Sequence, residues 1–376
     1  PLVASPLVAS PLVASPLVVV PATIMQSTQS GSFGSSQASP CWTTPSPQVA
    51  ATHAFEHASS STSLPSSQDS TPACTIASPQ AAGLFSRAAV ESGSCIAVQT
   101  TEFAREQGQR FAQVTSCAAA PDVPGCLRAL SLDAVLRALP APVTISGLDT
   151  AMTARWGPVV AGPTLPERPY DAMLAGRQNR VPLMIGHNTE EVGLTVPAIP
   201  TEAAYRQALT NLGGAMLADA VLAAYPVARY GTPRNALVQA LTDARFGCQA
   251  RAAARAHLRG GAPTWRYLFA QPLESGAATI RALGAWHGLE LAYVFQNIHR
   301  FGAAAAANDL TVERAVLGYW TRFAATGTPG DAAAWPAYGP GEPLLRVEPM
   351  ELVERNWRNA ECDGWDRVVG VTPPAP

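Results

Sequence analysis

One histidine and two adjacent glutamates have the types and setting that could do chemistry. His287 lies in ALGAWHGLELAYVF (282–295), and Glu190 and Glu191 lie in HNTEEVG (187–193). A carboxylate bonded to an imidazole holds the ring in one tautomer and stabilises the imidazolium formed in turnover. Each feature alone also has a structural explanation, as a packed core histidine or as a solvated turn. The residues therefore predict an acid–histidine pair if the fold brings the two stretches together.

Two strand-like runs precede these residues. VPLMIG (181–186) leads into the glutamates, and TWRYLFAQ (264–271) precedes the histidine. Ligands of open α/β sheets bind at the carboxyl ends of the strands, so residues that follow neighbouring strands can meet there. Helical patterns alternate with these runs from about residue 75, as in VERAVLGYWTRFAATG (312–327). The alternation predicts a layered α/β domain.

The first 74 residues have a different character. They begin with PLVAS repeated three times, continue with many Ser, Thr, Pro and Gln, and carry charge only at Glu56 and Asp69. Regularly repeated proline forbids a helix, and the composition is typical of low-complexity or disordered chain. We therefore expect a low-complexity segment over 1–74 and an α/β domain over 75–370.

Composition excludes several classes of partner. The formal net charge is −2, which argues against a nucleic-acid-binding surface. No proline-free apolar run is long enough to suggest a membrane span. The cysteine spacings do not match zinc ligand pairs, so no metal or cofactor is predicted. Seven cysteines suit an exported protein with disulfides, although no signal peptide is visible in this chain. The sequence leaves the oligomeric state open.

Five segments occur in an order that resembles one family, the type-B carboxylesterases, which include the cholinesterases and have the α/β-hydrolase fold. The segments are SPQAAGLFSRAAVESGSC (78–95), WGPVVAGPTLPERP (156–169), IGHNTEEVG (185–193), AWHGLELAYVF (285–295) and YWTRFAATGTPGDAAAWPAY (319–338). The resemblance covers about residues 75–366. It implies the C-terminal two-thirds of that fold, with a central, mostly parallel sheet flanked by helices.

The resemblance also implies the roles of the two charged stretches. It makes Glu191 the triad acid and His287 the base, with Glu190 as the neighbouring acidic position. The chain departs from the family pattern at Ala161, where Asp is usual, and at Val192, where Gly is usual. The second change stiffens the loop without removing a reacting group. The implied substrate is a small-molecule carboxylic ester, with no cofactor.

The family's nucleophile is the least well preserved feature. The G-x-S-x-G turn that exposes a catalytic serine is absent. Family spacing places the nucleophile twelve residues before Ser78, at Ser66, within SLPSSQD. Pro65 and Gln68 stand beside it in place of residues that would permit the sharp turn. The alternative is that Ser66 is one serine among many in a serine-rich tract.

The region before residue 75 therefore suggests a truncated or disrupted N-terminus. By resemblance, the loop that supplies the oxyanion hole would precede residue 1. SGSFG (30–34) resembles a family turn at nearly the right distance before Ser66, whereas the likeness vanishes over about 35–73. We hypothesise that this stretch is read out of frame. Translating the coding DNA in the other two frames should reveal a G-x-S-x-G near residue 66, and its absence would exclude the idea.

The resemblance also suggests two disulfides. SCAAAPDVPGCLRAL (116–130) resembles a short family loop closed by Cys117 and Cys126. FGCQAR (246–251) and ECDGWD (361–366) resemble the two halves of a long-range bridge, which would join Cys248 to Cys362. No partner is predicted for the three remaining cysteines, which are Cys41, Cys74 and Cys95.

The sequence thus predicts a carboxylic-ester hydrolase that acts through Ser66, His287 and Glu191 and forms an acyl-enzyme. The alternative is a catalytically inactive, cholinesterase-like fragment or binding domain that lacks a working nucleophile turn and oxyanion hole.

Overall fold

A computed structural model describes the backbone of 18–20 and residues 71–96, 98–138, 157–301, 304–368 and 371. Two residues singled out in the sequence, Ser66 and Cys41, lie outside the described residues. Most of the predicted low-complexity segment over 1–74 does so too.

The described residues form one six-stranded sheet, in which the strand order follows the order of the chain. The strands are β1 (Val18–Val20), β2 (Ala88–Glu91), β3 (Leu183–Asn188), β4 (Thr264–Phe269), β5 (Leu344–Val347) and β6 (Leu352–Glu354). Strands β1 to β5 are parallel, and only β6 pairs antiparallel.

The helices of the described residues lie between and after these strands. In chain order they are α1 (Thr71–Ala77), α2 (Thr101–Val114), α3 (Val123–Arg128), α4 (Leu132–Ala138), α5 (Pro169–Leu174), α6 (Glu202–Ala224), α7 (Val227–Tyr230), α8 (Pro233–Thr242), α9 (Cys248–Arg259), α10 (Ala278–Arg281), α11 (Leu289–Val294), α12 (Ala307–Thr326) and α13 (Asn359–Val368). A π-helical turn, Asp243–Gly247, joins α8 to α9, and 3₁₀ turns occupy Pro79–Ala81, Cys117–Ala119 and Ile298–Phe301.

Both faces of the sheet are covered, which explains why its central strands are buried along their whole length. Every residue of β3 and β4 is buried. One face packs against α5 and α9, and the other packs against α11 and α12. Parallel strands buried on both faces have continuous apolar runs rather than alternating ones, and this is the pattern in VPLMIG.

Observed boundaries differ slightly from those expected. Strand β3 extends past the apolar run to His187 and Asn188, which are fully buried and continue the ladder with β4. Hydrophobicity alone could not predict this, because the two residues are polar. Helix α12 begins at Ala307 rather than 312 and ends before Gly327, whose φ of 82° is the left-handed conformation that terminates a helix.

Three cysteine pairs lie at disulfide distance. Two are the pairs implied by the resemblance, Cys117–Cys126 and Cys248–Cys362, with Cα–Cα distances of 5.6 Å and 4.9 Å. The third, Cys74–Cys95, was not foreseen, and its Cα atoms are 5.2 Å apart. This pair joins α1 to the loop after β2, across a sequence separation of 21.

Two further findings concern the described residues only. No helix among them is both long enough and apolar enough to cross a bilayer. No group of His, Cys, Asp or Glu side chains in the same part of the chain is arranged to hold a metal ion.

Candidate active site

Two loops meet at the carboxyl ends of β3 and β4. The turn that carries Glu190 and Glu191 starts directly after β3, and His287 lies between α10 and α11 on the chain that follows β4. The Glu190 amide donates to the Ala285 carbonyl at 3.1 Å, and the His287 amide donates to the Glu191 carbonyl at 3.1 Å. The backbone itself therefore fixes the distance between the two loops.

Glycines permit this arrangement at two points, one through a close approach and the other through its backbone conformation. A Cβ atom on Gly193 would lie 2.6 Å from the carbonyl oxygen of Leu283, so the turn after β3 could not sit so near the other loop with a larger residue. Gly288, directly after the histidine, has a φ of 82° where α11 begins. Only glycine adopts this conformation without strain, which explains the His-Gly pair.

The side chains of Glu191 and His287 are in direct contact. Glu191 Oε2 lies 2.7 Å from His287 Nδ1. The glutamate side chain is fully buried, whereas 24% of the histidine side chain is exposed. The second carboxylate oxygen, Oε1, accepts from the Ser92 hydroxyl at 2.6 Å and from the Asn188 amide at 2.7 Å. The carboxylate is thus held from both sides, while the imidazole keeps an edge toward solvent.

The adjacent glutamate makes different contacts. One oxygen of Glu190, Oε2, accepts from the Ala285 amide at 2.9 Å and from the Thr189 hydroxyl at 2.6 Å. Burial raises the pKa of Glu190 above its ordinary value. Glu190 therefore joins the two loops, whereas the carboxylate that contacts the imidazole is that of Glu191.

Residues that the sequence had not marked surround the pair. Asn188, at the end of β3, donates from Nδ2 to the Trp286 carbonyl at 2.8 Å and to the carboxylate of Glu290. Ser92 follows β2 directly. The strand-end rule used for the glutamates also points to Ser92, but a serine after a short Ala-rich strand gives too weak a signal on its own.

The ring of Phe246 packs against the imidazole, with centroids 5.2 Å apart. Val192, which stands where the family has glycine, is buried at 2% exposure and belongs to the core beside α8. The valine side chain at this position therefore packs into the hydrophobic core.

A cleft of about 450 Å³ lies on the outer side of the glutamate turn. It is lined by Glu190 and by three arginines, Arg234, Arg281 and Arg346, but not by His287. Arg234 donates to backbone carbonyls and Arg346 pairs with neighbouring glutamates. Neither Glu191 nor His287 lines this cleft.

A mostly parallel sheet covered by helices, with an acid–histidine pair at its carboxyl edge, defines the α/β-hydrolase class. A sequence model of the carboxylesterase family matches residues 72–365, and the chain belongs to this family.

Individual relatives agree with this assignment. The chain is 24% identical to the medium-chain fatty acyl-CoA hydrolase precursor of Anas platyrhynchos, over 77% of this chain and 54% of that protein. It is 29% identical to the para-nitrobenzyl esterase of Bacillus subtilis (strain 168), over 71% of this chain and 53% of that protein. A solved PNB esterase superposes with a TM-score of 0.61 at 25% identity, covering 78% of this chain and 61% of that one. The chain spans about half the length of the curated relatives it matches.

Proposed function

We propose that the protein is a carboxylic-ester hydrolase in which His287 is the general base and Glu191 orients it. The observation that carries the proposal is the 2.7 Å contact between Glu191 Oε2 and His287 Nδ1, made by a fully buried carboxylate to a partly exposed ring. Relatives named as esterases and as an acyl-CoA hydrolase support the same class of reaction.

The contact supports one direction of proton transfer. When Nδ1–H donates to Glu191, the lone pair of the imidazole is on Nε2. That nitrogen takes the proton of a serine hydroxyl as the oxygen attacks the ester carbonyl, and returns it to the leaving alcohol. An acyl-enzyme remains, which a water molecule hydrolyses with His287 again acting as base. Glu191 stabilises the transient imidazolium.

The nucleophile in this proposal is Ser66, chosen by its spacing from Ser78. An inactive, cholinesterase-like domain is the second candidate, and the absence of G-x-S-x-G from the chain favours it. The two candidates differ in whether a serine becomes acylated, so covalent labelling separates them.

The three disulfide-distance cysteine pairs support a secreted or otherwise oxidising location. The proposed substrate is a small-molecule carboxylic ester, which membership of the carboxylesterase family supports.

The test is hydrolysis of p-nitrophenyl acetate by the full chain, with the rate without protein subtracted. His287→Gln should lower kcat by about 10²–10⁴-fold, the usual contribution of a positioned base. His299→Gln is the matched control, because His299 is an exposed histidine beyond α11. Equal rates in the two variants would exclude His287 as the base.

A fluorophosphonate probe tests the nucleophile. Labelling that is lost in Ser66→Ala supports the complete triad. Labelling or activity that survives in Ser66→Ala would rule out this serine. No labelling of the wild-type chain would favour the inactive domain.

A further inference from the structure

Three buried polar atoms without a partner belong to residues that interact electrostatically near the acid–histidine pair. They are Glu91 Oε2, Glu290 Oε1 and the Tyr267 hydroxyl. Their residues are 5%, 1% and 0% exposed. Buried polar groups in native proteins are nearly always hydrogen-bonded, so three orphaned atoms call for an explanation.

The register of the sheet brings two of these groups to the same face. Glu91 on β2, Gly186 on β3 and Tyr267 on β4 are consecutive partners across the parallel ladder. A Cβ atom on Gly186 would lie 2.4 Å from the Tyr267 ring, so the glycine lets the ring lie across β3. Trp320 of α12 closes this space: its ring is 5.0 Å from that of Tyr267, and its Nε1 donates to Glu91 Oε1 at 2.5 Å.

Glu290 connects this cluster to the proposed active site. Its Oε2 accepts from the side-chain amide of Asn188. The backbone amide of the same Asn188 donates to Glu191 Oε1 at 2.7 Å. One residue therefore touches both the hidden carboxyl group and the carboxylate that holds His287.

The charges around the cluster favour a bound proton. The titratable groups that face the two carboxyl groups are Glu191, His287 and Tyr267. Burial, followed by the charge of Glu290, raises the pKa of Glu91 to about 8. Burial, followed by the charge of Glu191, raises the pKa of Glu290 to about 7. Two like charges in one dry site cannot both be ionised cheaply, so the pair retains a proton at neutral pH.

We propose that Glu91 and Glu290 share one proton near neutral pH, and that this shared proton makes Glu290 a positioning group that keeps Asn188, and through it Glu191, in place. The protonated carboxyl group donates to the unpaired oxygen of the other, so both orphaned carboxyl oxygens are satisfied. Loss of the proton leaves two buried negative charges, whose repulsion displaces Glu290 from Asn188. The link to catalysis rests on the proposed function, whereas the shared proton and its effect on the Glu191–His287 contact do not.

The first test is the pH dependence of unfolding of the full chain, measured by urea titration between pH 5 and 8. Both pKa values are raised above the ordinary value of 4.5, so the folded pair holds two protons below about pH 7 and one between about pH 7 and 8, which the unfolded chain has released. The stabilisation is complete below about pH 4.5 and is lost as pH rises through about 7–8. Each extra bound proton makes the unfolding equilibrium constant rise about tenfold per pH unit.

Glu91→Gln should remove that contribution, because the amide supplies a permanent donor to Glu290 and binds no proton. The slope of log K for unfolding against pH should fall by about one compared with wild type. Glu106→Gln, at an exposed position on α2, should keep the wild-type slope. A Glu91→Gln slope equal to that of wild type would overturn the shared proton. If Glu91→Gln does not fold, the same comparison of slopes is made with Glu290→Gln.

The second test reads the position of Glu191 without any turnover. In ¹⁵N-histidine-labelled protein, the Nδ1–H resonance of His287 reports its hydrogen bond to Glu191. It should shift or broaden in wild type as pH rises through about 8 and persist unchanged in Glu91→Gln. Identical behaviour in both proteins would overturn the positioning role. A protein that passes both tests but hydrolyses no ester leaves this inference intact and contradicts only the proposed function.

Discussion

Glu191 and His287 are 96 residues apart in sequence and are joined by two hydrogen bonds, one between side chains and one between backbones. The His287 amide donates to the carbonyl of the residue whose carboxylate contacts its ring. The backbone hydrogen bond sets the separation of the loops. Little additional conformational entropy is therefore lost when the two side chains come into contact. The pair is therefore preorganised before any substrate binds.

The two adjacent glutamates should respond differently to the same substitution. Glu190→Gln keeps an oxygen that accepts from the Ala285 amide, so we expect kcat to stay within about threefold of wild type, a change of less than 1 kcal/mol. Glu191→Gln removes the charge that stabilises the imidazolium and should lower kcat by at least about 100-fold. Steady-state hydrolysis of p-nitrophenyl acetate measures both. Equal losses would contradict the assignment of Glu191.

Removal of the Ser92 hydroxyl should weaken the hold on Glu191. A hydrogen bond to a charged group contributes about 1.5–3 kcal/mol, so Ser92→Ala should lower kcat/KM by about 10- to 100-fold. Ser94→Ala is the matched control, because Ser94 is buried in the same loop but donates to Gln249 at 2.8 Å. If kcat/KM falls equally in both variants, the loss results from a disturbed loop and not from the missing contact with Glu191.

The long-range disulfide should stabilise the fold more than the short one. Cys248 and Cys362 are 114 positions apart in the sequence, whereas Cys117 and Cys126 are 9 positions apart. In the chain-entropy model the first pair contributes about 5 kcal/mol and the second about 2–3 kcal/mol. Urea unfolding of the two double Ala variants, without reductant, measures the difference. Equal losses of stability would show that chain entropy does not govern these bridges.

Glu342 should make the protein sensitive to acid. Burial opposes ionisation of this carboxyl group, but donors from Arg255, Tyr338 and Arg251 outweigh it and lower its pKa to about 2. The folded pKa lies below the ordinary 4.5, so the stabilisation is complete above about pH 4.5 and is lost as pH falls toward 2.

Urea unfolding of wild type and Glu342→Gln between pH 7 and 2 measures this effect. The difference in unfolding free energy should narrow as pH falls through that range, since the wild-type carboxylate becomes protonated. Glu106→Gln, at an exposed site, should show no such narrowing. A gap for Glu342→Gln that stays constant with pH would contradict the prediction.

Much of the fold could be predicted because its signals are local. The apolar runs of β3 and β4 identify buried parallel strands, and the spacing and final glycine of α12 identify a helix. The meeting of Glu191 and His287 could also be anticipated, because the carboxyl ends of neighbouring parallel strands lie at one edge of a sheet. Ser66 as nucleophile stays a prediction, since it lies outside the described residues.

The sequence by itself predicted the strands β3 and β4, the helix α12 and the two loops that could meet. Only the tertiary structure decided which individual side chains are in contact. The pairing of Cys74 with Cys95, the bond from Ser92 to Glu191 and the cluster of Glu91 with Glu290 depend on strand register and on helix packing. A residue's type and its distance along the chain do not encode these contacts. A shift of one residue in register would turn Glu91 to the opposite face of the sheet, and the helix-borne partners depend on how the helices pack.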